Sequence, residues 1–309
     1  MAVMAEILDL LRVLVLTIYY IVESWVLFFI PASMKKKNIS GKLVLITGAG
    51  SGLGRLMANE FAKLGCNLVL WDVNEKGNEE TAAEVEKYGT TVKAYKVDLS
   101  NREAVYEAAE KVKQEVGHVQ ILVNNAGIVT GKKLLESPDH MNVKTFEVNV
   151  FAHFWTCKAF LPKMIEADSG HIVNIASSAG LVGVNMLTDY CASKFACVGF
   201  DEALREELRD MGKLGVKTTV ICPVFINTGM FDGVTMKQAW LCPLLEPDYV
   251  VEKIMEAVLT EQKFVVVPKT MYILHPLKSL LPLKASSLLI DWMGANRSMD
   301  EFKGRQKSE

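Results

Sequence analysis

The chain has 309 residues, enough for one large α/β domain with its own core. A net charge of −2 leaves no basic excess, which argues against nucleic acid as a partner. The six cysteines form no Cys-x-x-Cys pair and have no histidine at ligand spacing, so neither a metal site nor a disulfide framework is expected.

Residues 7–30 form an apolar stretch that exceeds the roughly 20 residues a bilayer requires. Pro31 and the run Lys35-Lys36-Lys37 follow at once. Glu6 and Asp9 stand where a cleaved signal peptide carries positive charge, so the segment reads as an anchor. Two geometries fit. A single span, flanked by the lysines, would place the following domain in the cytosol. A helix lying in the interface would use Asp9, Arg12, Tyr19 and Glu23 as a thin polar stripe, and charges inside a span are costly. The expected organisation is an anchor over 1–34, a folded domain over 35–270 and an apolar segment with a polar tail over 271–309.

From residue 41 short β-branched runs occur at about 43–47, 68–71, 92–97, 119–123, 171–175, 216–221 and 264–267. Helical patterns lie between them at about 52–64, 75–88, 102–116, 141–166, 188–212 and 247–260. This alternation predicts a doubly wound (Rossmann) α/β fold, with a parallel sheet of about seven strands and helices on both faces. Ligands in such sheets bind at the carboxyl ends of the strands.

The first strand runs into Thr47-Gly48-Ala49-Gly50-Ser51-Gly52-Leu53-Gly54, a turn that lets backbone amides approach a pyrophosphate at a helix N-terminus. The second strand ends at Asp72, where a carboxylate suits ribose hydroxyls and repels a 2′-phosphate. No Arg or Lys lies within the turn itself, where it could hold that phosphate, with Lys76 as the caveat, so NAD is expected over NADP. Asp98 follows the third strand, placed to meet an adenine. Asn124-Asn125-Ala126-Gly127 ends the fourth, with amides able to tie strands together or to serve the cofactor.

Tyr190 and Lys194 are i and i+4 on a predicted helix and project from one face. A phenol titrates near ~10, and an adjacent cation should pull that value toward neutrality. A hydroxyl acid/base at cellular pH needs this shift. Ser177 lies thirteen residues before Tyr190, with Ser178 competing for the same role.

Thr47-Gly48-x-x-x-Gly52-x-Gly54, Asn124-Asn125-Ala126-Gly127, Asn149, Ser177, Tyr190-x-x-x-Lys194 and Pro223 through Thr228 together resemble the short-chain dehydrogenase/reductase family, over residues 41 to about 270. The family usually has Pro-Gly where this chain has Pro223-Val224. The apolar N-terminus, Val69-Leu70-Trp71-Asp72 and Cys222-Pro223-Val224-Phe225 are similar to the membrane-associated branch that acts on retinoids and steroids.

The resemblance implies Tyr190 as acid/base, Lys194 on the nicotinamide ribose, Ser177 on the reacting oxygen, and Asn149 holding a water beside Lys194. It implies NAD contacts from Gly48, Ser51, Gly52, Leu53, Gly54, Asp72, Asp98, Leu99, Asn125, Ala126, Gly127, Tyr190, Lys194, Pro223, Ile226 and Thr228. The substrate side would be Ser177, Tyr190, Phe225, Met230 and Phe231, under a Met- and Phe-rich loop at 229–245 suited to an apolar molecule. Residues 271–293, broken by Pro276 and Pro282, could dock on a membrane or pack on the protein itself.

The expected activity is NAD-dependent oxidation of a lipophilic alcohol, with retinol first and a 17β-hydroxysteroid second. A lipid-droplet or endoplasmic reticulum surface protein with mainly a binding role is the rival from another class, and carbonyl reduction in cells is a third reading. The resemblance also implies a homodimer through the helices at about 102–116 and 141–166.

Overall fold

A computed structural model describes residues 2–304 of the chain. It divides into two units, Met1–Asn38 and Ile39–Glu309. In the first, α1 runs Ala2–Phe29 and α2 is the single turn Ala32–Lys35. Thr17 and Ser24 donate to the carbonyls of Val13 and Tyr20, both at 2.8 Å, so these hydroxyls are satisfied within the helix. The Tyr19 hydroxyl lies 3.5 Å from Glu23, pairing two members of the polar stripe. Among the described residues, no helix is long and apolar enough to cross a membrane. The 28 residues of α1 include Glu6, Asp9, Arg12 and Glu23, so the single-span expectation gains no support.

The second unit is a seven-stranded sheet, formed by β1 (Leu43–Thr47), β2 (Asn67–Asp72), β3 (Val92–Lys96), β4 (Ile121–Asn124), β5 (Gly170–Ile175), β6 (Val216–Pro223) and β7 (Phe264–Val267). All pairings are parallel, in the order β3-β2-β1-β4-β5-β6-β7. The order reverses between β1 and β4, which opens a crevice at their carboxyl ends. All five residues of β1 and all four of β4 are buried, as central strands covered on both faces require.

Side-chain alternation splits the core into two layers. Val44, Ile46, Leu68 and Leu70 face α3 (Gly52–Lys63) and α9 (Pro247–Thr260), where Met57, Phe61, Val250 and Ile254 meet them. Leu45, Val69 and Trp71 face α5 (Arg102–Glu115) and α7 (Ala152–Ala167), against Val105, Val112, Phe160 and Met164. Between them in sequence, α4 (Glu75–Glu86) and α5 are capped by Asn74 and Asn101, whose side chains accept the N–H groups of Gly77 and Ala104.

The continuous helix expected over 141–166 is interrupted. α6 (Asp139–Phe146) and α7 are joined by a π-helical turn, Glu147–Phe151, centred on Asn149. α8 spans Thr188–Asp210 and carries Tyr190 and Lys194. Beyond β7, α10 (Met271–Leu280) continues through Pro276, and α11 (Leu283–Met293) begins after Pro282.

Candidate active site

The carboxyl ends of β1, β2, β4, β5 and β6 border a single cleft. Gly48 and Gly52 hold φ of +67° and +53°, the left-handed region that only glycine enters freely. A Cβ on Gly54 would stand 2.0 Å from the Gly48 carbonyl oxygen, so α3 rests directly on the turn. Gly48, Ser51, Gly52 and Leu53 line the cleft at the N-terminus of α3, and Gly54 lies behind them.

At the end of β2, Asp72 also lines the cleft. Its Oδ2 accepts the Gly50 N–H and its Oδ1 the Asn74 N–H, each at 2.8 Å, so one carboxylate ties the glycine turn to β2. Asp98 accepts the N–H and hydroxyl of Ser100 at 2.9 and 2.7 Å. Burial alone would raise its pKa, but these bonds and the Lys144 charge hold it below the usual carboxylate range.

The two asparagines after β4 divide their work. Asn124 donates to Asn174 on β5 at 3.0 Å, while Asn125 donates to the Thr47 carbonyl on β1 at 2.8 Å. Both therefore stitch strands together, and Asn125, Ala126 and Gly127 line the cleft.

Tyr190, Lys194 and Ser177 converge on the cleft from α8 and the end of β5, each at most 9 % exposed. Ser177 accepts the Ala179 N–H at 3.1 Å and lies 3.3 Å from the Pro223 carbonyl. The Lys194 ammonium donates to the Ile175 carbonyl at 2.9 Å and stands 5.6 Å from the centre of the Tyr190 ring. The expected acidification of Tyr190 is opposed by burial. Burial raises the phenol pKa, a Ser177 hydrogen bond opposes this only in part, and burial lowers that of Lys194. The i,i+4 spacing is right, but desolvation disfavours both charged forms.

Asn149, expected to hold a water beside Lys194, is itself held by the chain around it. The side chain is fully buried, outside the residues that line the cleft. It accepts the Ile128 N–H at 2.8 Å and donates to the Ile128 carbonyl and the Ser193 hydroxyl, both at 3.0 Å. It thus clamps the π-turn to the chain after β4 rather than reaching into the cleft. Its carboxamide is still close to the lysine, since a Cβ on Gly127 would lie 3.4 Å from Asn149 Oδ1 and 3.6 Å from Lys194 Nζ.

Leu99, Pro223, Phe225, Ile226, Thr228, Met230 and Phe231 complete the walls. Phe231 meets Tyr190 edge-on at 5.6 Å between ring centres, and Phe225 meets Phe231 at 5.1 Å. Val224 stands where a glycine was expected. It is buried, and its N–H donates to the Val267 carbonyl at 2.9 Å, so the sheet itself fixes this stretch of backbone.

A family model described as short chain dehydrogenase matches residues 42–239. The chain belongs to the short chain dehydrogenase family. Human epidermal retinol dehydrogenase 2 is 52% identical over 94% of each chain, and mouse estradiol 17-beta-dehydrogenase 11 is 51% identical over 90% of this chain and 92% of its own. A solved short chain dehydrogenase/reductase from Burkholderia phymatum, in complex with NAD, is 30% identical. It covers 79% of this chain and 95% of its own with a TM-score of 0.71.

Three features of this dehydrogenase were not visible in its sequence. Arg55, one residue past the glycine turn, donates to the Gly50 and Gly77 carbonyls at 2.9 and 3.0 Å and pairs with Glu80 and Glu84. This cation braces the turn, and its charge is matched by two carboxylates. Lys144 on α6 lines the cleft, and its position in an ordinary helical pattern gave no signal. His153 lies fully inside the fold, with Nδ1 3.6 Å from Cys197 Sγ. Burial, aided by the Lys194 charge, takes its pKa down to about 3, so it is neutral at cellular pH.

Proposed function

We propose that this dehydrogenase oxidises a lipophilic alcohol, all-trans-retinol to retinal in the first instance, with NAD as the acceptor. The observation that carries the reading is one continuous cleft, with the Asp72 carboxylate, the Tyr190 and Ser177 hydroxyls and the apolar ring of Phe231 in its walls. The glycine cradle fits a pyrophosphate, because a side chain at Gly48 or Gly54 would close it against Ala126 or the turn's own carbonyl. Asp72 would accept the adenosine ribose hydroxyls and disfavour a 2′-phosphate. Arg55, the cation beside the turn, is already engaged.

When bound, the nicotinamide supplies the hydride acceptor and a positive charge. Tyr190 takes the proton of the alcohol hydroxyl, and Ser177 orients that oxygen. Burial raises the phenol pKa, and the positive charge of the bound nicotinamide would oppose that rise. Lys194 would hold the nicotinamide ribose, and Asn149 would fix the backbone beside Lys194 where a water can pass the proton to solvent.

An apolar substrate suits Phe225, Phe231 and Met230. Exposed apolar side chains on α1, and Ile273, Leu280, Leu283 and Leu288 on α10 and α11, support a membrane or lipid-droplet surface as the source of that substrate. The proposed setting is the endoplasmic reticulum or droplet surface, with the catalytic unit in the cytosol and present as a homodimer. A 17β-hydroxysteroid is the second reading, supported by the estradiol dehydrogenase relative. Replacing Tyr190 with Phe tests the chemistry. Turnover of retinol should be lost while NADH still binds, and normal turnover in that variant would refute the mechanism.

A further inference from the structure

The apolar pocket has a backing that its sequence position conceals. The loop after β6 closes on its own start at Leu245, whose N–H donates to the Phe225 carbonyl while its own carbonyl accepts the Asn227 N–H, both at 2.9 Å. Between these ends, the loop is held by the last stretch of described chain. The Thr235 N–H donates to the Ser298 carbonyl at 3.1 Å, and the Lys303 N–H to the Asp232 carbonyl at 2.9 Å. Asn185, which precedes α8, donates to the Asn296 carbonyl at 3.1 Å.

Side chains complete the closure. Met299 is fully buried in the cluster of Leu187, Tyr190 and Cys191, where Phe231 and Phe302 also pack. The Phe302 ring stands 6.3 Å from that of Phe231. It presses so closely on Gly131 that a Cβ there would lie 2.0 Å from Phe302 Cε1. Phe231 thus packs against both Tyr190 and Phe302.

We infer that residues 295–303 form a strap latching the loop at 229–245 over the alcohol pocket, with Phe302 as the residue that positions Phe231 against Tyr190. This rests on the alcohol-oxidising reading above. Neither Met299 nor Phe302 lines the cleft, so both act through Phe231 and the loop. The strap sets how tightly the pocket grips an apolar substrate without touching the cofactor half.

The test compares full-length, membrane-bound wild type with Phe302→Ala and Phe302→Leu. Three quantities are read: KM and kcat for all-trans-retinol, NADH affinity, and the rate of tryptic cleavage after Lys237, an exposed residue of the loop. Phe302→Ala should raise KM about tenfold with kcat changed no more than about twofold, the pattern of lost uniform binding. NADH affinity should be unchanged, Lys237 cleavage several-fold faster, and Phe302→Leu should restore most of both. Unchanged KM and cleavage in Phe302→Ala would overturn the strap, as would a parallel fall in NADH affinity, which marks general damage. If wild type oxidises neither all-trans-retinol nor estradiol, the proposed function fails by itself. The cleavage rate then decides the strap, faster in Phe302→Ala supporting it and unchanged refuting it.

Discussion

Asp72 has two tasks that pull in one direction. Its oxygens fix Gly50 and Asn74, and the same carboxylate faces the cleft. Asp72→Ala removes the negative charge that a 2′-phosphate would meet, so the ratio of kcat/KM for NAD over NADP should fall about tenfold or more. An unchanged ratio would remove Asp72 from cofactor choice. The pairing of Tyr190 with Lys194 was legible at this scale, because i,i+4 spacing follows from helix geometry alone. Their titration was not, because it depends on burial, which spacing does not report. Asn149 is similar. The resemblance implied a water held beside Lys194, and the bonds to Ile128, which no spacing reports, show that the side chain clamps the backbone there.

Among elements, the seven strands were legible because central parallel strands read as short β-branched runs bounded by turns. The π-turn at Glu147–Phe151 was hidden inside a helical pattern, since a single wide turn carries no residue signature of its own. The strap was hidden for another reason. Met299 and Phe302 sit among Asn296, Arg297, Asp300, Glu301 and Lys303, which read as a polar tail. Only the fold shows what the two apolar side chains cover. α1 was legible as an apolar helix, and under the proposed membrane setting its Glu6, Asp9, Arg12 and Glu23 would make a span costly. A tag on the N-terminus should therefore be digested by protease in intact microsomes. Protection until detergent is added would show that the helix crosses.

At the scale of the whole molecule, the catalytic residues and the exposed apolar side chains occupy different parts of the chain. The dehydrogenase residues lie at the carboxyl ends of the sheet. The exposed apolar side chains lie on α1 and on α10 and α11. Retinoids and steroids both need a long apolar pocket, and both classes occur among the relatives, so turnover must separate them. The decisive measurement is kcat/KM of the full-length, membrane-bound enzyme for all-trans-retinol, estradiol and a long-chain fatty alcohol, each with NAD and with NADP. The account predicts the highest value for retinol with NAD. Retinol turnover far below that of estradiol, or a preference for NADP, would contradict it.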